Sequence, residues 1–377
     1  MANENLQQTK NKFKMIGTVG RIDKDNAYRE EEMDKGKNEG KTYRSLRFGV
    51  KTSDTNENTV QMFAFEPDKV FLWNSDKKKA DKNYKGDRVD FDEWFENQDR
   101  FREEGYAVLQ TRIGLEYGED GKLQSRGLPS FVSAKEIYEG LNNGDSVVIE
   151  GNISYSSYKN QQDKVIEQIN FNIEKVFKIK DIDFEDEKFE EVSYFEQEIV
   201  FVDAEMVKEE KKVYVTGRHI NYNKTFHDAQ FVINYADEEG NVDKSMEKLA
   251  KAFATRMKFG DLLNVFGNVV NRVIVEEVEE EEEDDDDDLL ADLGGRSKPK
   301  HAQKFASRTY INEMQIEGVD AWDKAVYTED DFEVDSLLDE KEDLTNELGG
   351  KKKSDKKADN PFDLDDDEDI SDEDLPF

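Results

Sequence analysis

One internal repeat constrains the fold more than any other feature of the sequence. The segment GDSVVIEGNI (144–153) is matched by GDLLNVFGNV (260–269), and each follows a stretch with the apolar spacing of a helix. Two further pairs of similar segments flank this one in the same chain order: TVGRI (18–22) with VTGRHI (215–220), and QINFNIEKV (168–176) with INEMQIEGV (311–319). Similar segments in the same order predict that one structural unit occurs twice.

The first unit has the sequence pattern of a small β-barrel. Between Lys12 and Lys180, short apolar runs alternate with polar residues and are interrupted by Gly, Asn and Asp, as in strands. A helix is predicted from Ser133, with Glu136 at the spacing of a capping box. Three strands precede this helix and two follow it: 12–22, 43–50, 59–65, 146–155 and 164–177. That order is typical of the five-stranded Greek-key barrel called the OB-fold.

We therefore predict a mainly β protein with two tandem OB-fold-like five-stranded barrels, each with one helix, and a disordered acidic C-terminal tail. The first barrel is expected at 1–180, with a large insertion at about 66–130. The second is expected at 195–320, with an acidic loop at 276–304. The tail is expected at 321–377.

The negative charge is concentrated at one end of the chain. The 377 residues carry a formal net charge of −36, yet residues 1–180 contain 30 basic and 32 acidic residues. Residues 276–377 contain 12 basic and 38 acidic residues. At physiological salt the Debye length is about 8 Å, so acids on a distant tether are largely screened. The amino-terminal half can therefore bind a polyanion despite the whole-chain charge.

Several functional classes are disfavoured by what the sequence lacks. It has no cysteine and three histidines, so thiolate metal sites and disulfides are excluded. We find no phosphate-binding P-loop and no G-x-S-x-G motif. Because the sequence lacks these motifs, we expect a binding protein without cofactor or metal. We expect it in the cytoplasm, because no apolar run has signal-peptide or membrane-spanning length. A magnesium-dependent nuclease built from barrel carboxylates stays open as an alternative.

Single-stranded nucleic acid needs cations for its phosphates and flat rings on which its bases stack. An OB barrel offers such a surface chiefly on its second and third strands. On the second strand, alternation assigns Leu46, Phe48 and Val50 to the core, and leaves Tyr43 and Arg47 on the outer face.

The third strand allows two assignments. If Val60 and Met62 lie in the core, then Phe63 and Phe65 face the ligand. The reverse assignment, with both phenylalanines in the core, fits the pattern equally well. On the first assignment, the DNA-binding residues come from these strands, from the insertion and from the hairpin between strands 4 and 5: Tyr43, Arg44, Arg47, Phe63, Phe65, Trp73, Lys77, Lys78, Lys79, Tyr155, Tyr158 and Lys159.

The last nine residues, DISDEDLPF, place an apolar-Pro-Phe tip after a dense acidic run. This ending resembles that of bacterial single-stranded-DNA-binding proteins (SSB), and several phage replication proteins also end in acidic tails with a terminal aromatic residue. The duplicated barrel and the long insertion depart from the compact bacterial family and favour a phage-encoded version.

The resemblance implies a protein that binds single-stranded DNA without sequence specificity during DNA replication, recombination or repair. It also implies that the tip recruits replication or recombination enzymes. A terminal Phe can enter an apolar pocket while its carboxylate pairs with a cation. The partner-binding residues would be Asp372, Glu373, Asp374, Leu375, Pro376 and Phe377. The oligomeric state stays open, with a homo-oligomer as one alternative.

A second alternative is a DNA mimic or interaction scaffold, whose acidic residues occupy the DNA site of another protein. In that case the barrel aromatics would be buried, and the chain would not bind oligo-dT.

Overall fold

The structure is a computed structural model that describes residues 5–36, 38–119, 121–159, 165–186, 188–237, 240–276 and 307–332. Nearly all of the predicted acidic loop and most of the predicted acidic tail therefore lie outside the described residues.

The first half of the chain contains these elements, in chain order: β1 (Asn11–Gly20), β2 (Tyr28–Glu32), β3 (Thr42–Lys51), β4 (Glu57–Phe65), β5 (Lys69–Asn74), α1 (Ser75–Ala80), β6 (Asp87–Asp90), α2 (Phe91–Glu96), α3 (Gln98–Glu103), β7 (Tyr106–Val108), β8 (Thr111–Tyr117), β9 (Leu123–Leu128), α4 (Ser130–Gly140), β10 (Ser146–Lys159) and β11 (Val165–Lys178). The second half contains β12 (Val192–Val207), β13 (Lys212–Ile220), β14 (Phe226–Asn234), α5 (Lys244–Thr255), β15 (Leu262–Glu276), β16 (Ser307–Asp323) and a 3₁₀ turn (Glu329–Phe332). The prediction of a mainly β protein is confirmed.

Five strands of the first half pair in a closed circuit, which we call the first ring. β1 pairs antiparallel with β3 and with β10. β3 pairs with β4, and β10 pairs with β11. The circuit closes where β11 runs parallel to β4 at Phe171 and Val60. Alternation along β1 explains the core, because Phe13, Met15, Gly17 and Val19 are buried while the alternate residues are not fully buried.

Five strands of the second half form an equivalent circuit, the second ring. β12 pairs with β13 and β15, β13 pairs with β14, and β15 pairs with β16. A parallel contact between Val232 of β14 and Gln315 of β16 closes it. The pairing order is the same as in the first ring, with β12 in the place of β1.

A repeated backbone cap supports this correspondence. The N–H of Gly144 donates to Val19 O (2.7 Å), and the N–H of Val19 donates to Asp145 O (2.9 Å). In the second ring, Gly260 and Asp261 make the same two bonds with Phe201, at 3.0 and 2.8 Å. Both glycines have a positive φ, near +85°, which disfavours residues with a Cβ. The Gly-Asp repeat therefore marks the same turn before β10 and β15.

One of the three predicted landmark pairs is wrong. TVGRI (18–22) covers the end of β1, whereas VTGRHI (215–220) lies on β13, which occupies the place of β3. The strand equivalent to β1 is β12, which pairs with β1 itself in antiparallel register, Phe13 opposite Phe195. A Gly-Arg pair after a β-branched residue occurs inside a strand as well as at its end, so it does not identify the strand that carries it.

The two rings also contact each other through their long hairpins. From the β10–β11 hairpin, the Tyr155 hydroxyl donates to Gln197 Oε1 of β12 (2.7 Å). From the β15–β16 hairpin, Asn271 Nδ2 donates to Glu57 O of β4 (2.9 Å), and its N–H donates to Asn56 Oδ1 (2.7 Å). Most buried apolar residues of the two rings form one continuous cluster that includes Phe13 and Phe195.

The predicted insertion carries structure of its own. β6, β5 and β7 form a three-stranded sheet beside α1, α2 and α3. Trp94 of α2 is buried, so it belongs to a local core and not to a ligand surface. β8 and β9 form a hairpin, and β8 extends the sheet of the first ring by running parallel to β11.

Both predicted helices exist, but α4 begins earlier than expected. It starts at Ser130 after Pro129, and the Ser133 hydroxyl donates to Pro129 O (3.1 Å) from inside the first turn instead of capping it. The capping-box assignment is therefore wrong.

The second unit extends beyond its predicted bounds. β12 begins at Val192, and the chain after β16 remains packed on the second ring as far as Phe332. The tail boundary at residue 321 is therefore too early. None of the helices in the described part of the chain is long and apolar enough to cross a bilayer.

Candidate nucleic-acid interface

The outer face of β3 and β4 carries a strip of aromatic and polar residues. Three cross-strand pairs lie along it: Tyr43 opposite Phe65, Ser45 opposite Phe63, and Arg47 opposite Gln61. The residues between them point inward, and Leu46, Phe48, Val50, Val60 and Met62 are all buried. On the outer face, Arg47, Phe63 and Phe65 are only partly buried, which agrees with the first of the two assignments on β4, whereas Tyr43, Ser45 and Gln61 are buried.

Three rings cluster at one end of this strip. The centroid of Phe63 lies 5.2 Å from that of Tyr43 and 5.2 Å from that of Phe65. Phe63 and Phe65 are half-buried, so part of each ring faces solvent. Such rings can accept a stacked base.

Tyr43 does not have the exposure that was predicted. It is buried beside the two phenylalanines, and its hydroxyl donates to Glu31 Oε2 of β2 (2.9 Å). Burial, together with this hydrogen bond, raises the pKa of Tyr43 to about 12. Tyr43 therefore packs beside Phe63 and Phe65 and is not itself a stacking surface.

Arg44 lies on the opposite face of β3 and was wrongly placed in the interface. Its guanidinium stands 3.9 Å from the ring centroid of Phe131 in α4 and donates to Phe131 O (3.0 Å). It also donates twice to the Glu30 carboxylate, and this ion pair lowers the pKa of Glu30. Arg44 holds α4 and β2 to the first ring.

At the other end of the strip, Arg47 lines a cleft of about 650 Å³ between the two rings. The first ring contributes residues of β3, β4, β10 and β11, and the second contributes residues of β13, β14, β15 and β16. The strip and the cleft thus share Arg47 and form one continuous surface.

The acidic side chains of this cleft are neutralised by neighbours. Glu313 is paired with Lys212 Nζ at 2.6 Å, and Asp228 accepts two bonds from Arg218, at 2.6 and 2.9 Å. Because each of these carboxylates already has a cation beside it, the cleft does not present them as uncompensated charges to a phosphate chain.

Tyr310 is an exposed aromatic residue of this cleft that the sequence did not reveal. Its side chain is 60% exposed, and it lies on β16. It has the same parity as Met314 and Ile316, which are buried, so alternation would have placed it inside. It is exposed because the β15–β16 hairpin extends beyond the ring.

Tyr155 also lines the cleft, but its side chain is only 7% exposed. Burial strongly raises the pKa of its hydroxyl, which donates to Gln197. The prediction of Tyr155 as a stacking residue is therefore wrong, and its role is to fasten one ring to the other. The side chains of Tyr158 and Lys159, predicted on the same hairpin, lie outside the described residues.

The lysines of the insertion bond within the protein. Lys77 Nζ lies 3.0 Å from Asp87 Oδ2 and also donates to the Tyr106 hydroxyl, which raises the pKa of Lys77. Lys78 donates to the carbonyls of Lys82 and Tyr84, and Lys79 pairs with Asp76. Trp73 packs 5.6 Å from Tyr84. This cluster lies on α1 and on the separate three-stranded sheet beside it, and the structure does not bring it into the strip.

The predicted partner-binding residues lie outside the described part of the chain: Asp372, Glu373, Asp374, Leu375, Pro376 and Phe377. Within the described ranges, no group of three or more His, Asp or Glu side chains is arranged to hold a metal ion.

Comparison with known proteins adds a family. A family model described as YorF matches residues 83–350. No curated protein sequence matches the chain. One similar solved structure is a deletion mutant of the single-stranded DNA binding protein from Thermus aquaticus, at 12% identity and a TM-score of 0.33. That similarity covers 74% of this chain and 100% of the other.

Proposed function

The chain belongs to the YorF family, and we propose that it binds single-stranded DNA without sequence specificity, as a binding protein and not as an enzyme. The observation that carries this proposal is the outer strip of the first ring, where half-buried Phe63 and Phe65 lead to Arg47. We take both rings to be OB-like barrels, because strand order 1-2-3-5-4 with a parallel closure is the Greek-key arrangement that the sequence predicted.

The length and the side chains of the strip suit an extended strand of single-stranded DNA. From the Tyr43–Phe65 pair to the Arg47–Gln61 pair, the strands advance four residues, or about 13 Å. Base stacking on an aromatic ring contributes about 1–3 kcal/mol and tolerates every base. An arginine at the end of the strip can pair with a phosphate in bidentate geometry. This combination supports affinity without sequence readout.

A titration of the full chain against fluorescently labelled oligo-dT tests this function. We expect fluorescence anisotropy to rise on binding and the affinity to fall as salt rises, with a log–log slope of about −0.7 per phosphate contacted. Arg47→Gln should make the slope shallower by about 0.7, because one contact is lost. Duplex DNA of equal length is the control, and we expect it to bind more weakly.

A chain that left oligo-dT free at low salt, or whose binding was insensitive to salt, would contradict the proposal. The alternative reading as a DNA mimic predicts the first of these outcomes, together with binding to a basic DNA-binding protein.

We also propose that the protein acts in DNA replication, recombination or repair, is phage-encoded, and recruits partner enzymes through Asp372–Phe377. The acidic residues near the tip can steer encounters with basic partner surfaces and compete with DNA for Arg47 of the strip. Deletion of residues 361–377 should therefore tighten oligo-dT binding at low salt and abolish capture of a partner enzyme. If both values stay unchanged, the tail has neither role.

A further inference from the structure

The cleft between the rings is positioned to receive the same strand that the outer strip would hold. Arg47 belongs to both surfaces, so a strand that leaves Phe63 in the direction of Arg47 arrives at the cleft. A volume of about 650 Å³ is within the range of small-molecule sites, about 300–1,000 Å³. It can therefore enclose a nucleobase.

Three side-chain amides line this cleft from three different strands. Gln168 comes from β11 of the first ring, and Gln230 and Asn312 come from β14 and β16 of the second. Within the residues that the structure describes, none of these three amide groups bonds to another part of the chain. Gln230 and Asn312 are exposed, and Gln168 is half-buried.

The other two amides of the cleft have structural roles. Asn58 Nδ2 donates to Ser193 Oγ (3.0 Å), and Asn271 Nδ2 donates to Glu57 O (2.9 Å). These bonds join the two rings and fix the walls of the cleft. The amides of Gln168, Gln230 and Asn312 are thus distinguished from their neighbours by their availability to a ligand.

An amide presents a hydrogen-bond acceptor beside a donor, and this pattern complements the edge of adenine. Tyr310, which is 60% exposed, adds a flat ring at the same cleft. The ion pairs Lys212–Glu313 and Arg218–Asp228 keep the two acidic side chains from repelling the phosphates. The three amides, the ring of Tyr310 and the two paired carboxylates together make the cleft suitable for a nucleobase that is bound through its edge.

From this arrangement we infer that the inter-ring cleft takes one base of the bound strand and favours adenine through Gln168, Gln230 and Asn312. The outer strip supplies affinity for every sequence, and the cleft adds a preference at a single position. This inference rests on the proposed binding of single-stranded DNA.

The test compares three labelled oligonucleotides with the full chain: all-dT, the same strand with one central dA, and the same strand with one central abasic site. We expect the dA strand to bind roughly tenfold more tightly than the other two, since a bidentate amide–base pair discriminates against the wrong base. Combined Gln168→Ala, Gln230→Ala and Asn312→Ala should remove the advantage of dA, so that the dA strand and the all-dT strand bind this variant alike. Gln124→Ala, an exposed amide on β9, is the matched control and should retain the advantage.

The outcomes separate the two proposals. If no oligonucleotide binds, the proposed function fails. If all-dT binds but the dA strand has no advantage, or the triple variant keeps that advantage, the inference about the cleft alone is overturned. Calorimetric titration with dAMP distinguishes a free nucleotide from a strand, and dAMP binding as tight as that of the dA strand would also overturn it.

Discussion

The first and second rings share a backbone plan but differ in the surface that they carry. Each has the same strand pairing, the same Gly-Asp turn and a bulge at an equivalent glycine, Gly151 in one and Gly267 in the other. On β3 and β4, the outer face carries Phe63 and Phe65. On β13 and β14, the outer face carries ion pairs, such as Arg218 with Asp228.

This difference shows that the repeat retains the residues that the backbone requires at turns and bulges, and does not retain the outward side chains that would contact a ligand. The repeated positions are turns and bulges, where a positive φ or a close backbone contact disfavours a residue with a Cβ. The outward positions of the strands are under no such constraint, because either aromatic or charged side chains can occupy them without altering the ladder. We therefore expect the two rings to contribute unequally to DNA binding and similarly to stability.

The largest expected effect is on DNA binding by the first ring. Combined Phe63→Ala and Phe65→Ala should weaken oligo-dT binding by roughly 30-fold or more, because about 1–3 kcal/mol is lost for each base that stacks. Tyr222→Ala removes a ring that is 86% exposed on the second ring, and it should change the affinity less than twofold. Anisotropy titration at one fixed salt concentration measures both. Equal losses of oligo-dT affinity in the two variants would show that the two rings contribute equally to binding.

The second effect should be the same in both rings. A Cβ at Gly151 would lie 1.9 Å from Asn172 O, and a Cβ at Gly267 would lie 1.9 Å from Gln315 O. Gly151→Ala and Gly267→Ala should each lower the free energy of unfolding by about 1–3 kcal/mol, the usual cost of overpacking. Urea denaturation followed by circular dichroism gives both values. If one variant were neutral, the bulges would not be equivalent.

A pH effect is expected from the second ring. His219 is buried, with its Nδ1 2.6 Å from Thr9 Oγ1, and burial, together with nearby His227, lowers its pKa from 6.5 to about 4. Between pH 6.5 and 4, the imidazole of His219 is protonated in the unfolded chain and stays neutral in the folded chain. The free energy of unfolding should therefore fall with decreasing pH by up to about 1.4 kcal/mol per unit, and this contribution should be flat above pH 6.5.

His219→Gln should reduce this pH dependence, which urea denaturation at pH 7.5, 6.5 and 5.5 would reveal. An identical dependence in the wild-type protein and the variant would assign the titration to other groups.

The smallest effect concerns the two helices. Asp243 caps α5, and its Oδ1 accepts from the N–H groups of Ser245 (2.6 Å) and Met246 (3.1 Å), so Asp243→Ala should cost about 1 kcal/mol. Ser133→Ala in α4 should cost about 0.5 kcal/mol, because Pro129 O keeps its bonds from the N–H groups of Val132 and Ser133. Thermal denaturation compares them. A larger loss for Ser133→Ala would restore it as a capping residue.

Part of the interface could be predicted because it depends on local alternation. β3 alternates in sequence, so the outward position of Arg47 followed from the pattern. The pattern on β4 left two assignments open, and the structure decided that Phe63 and Phe65 face outward. Tyr43 and Tyr155 were misjudged because both are outward on their strands but are covered by other elements, β2 in one case and the second ring in the other. Alternation reports the side of a strand and not what packs against that side.

The sequence by itself determined the mainly β class, the duplication and the turns that delimit it, since Gly-Asp turns and period-two patterns act over a few residues. Only the tertiary structure decided that β1 pairs with β12 and that Gln168, Gln230 and Asn312 line one cleft. It also decided that the β10–β11 and β15–β16 hairpins each contact the other ring. These juxtapositions join residues more than 60 positions apart. They follow from the packing of two rings into one core, which no local pattern encodes.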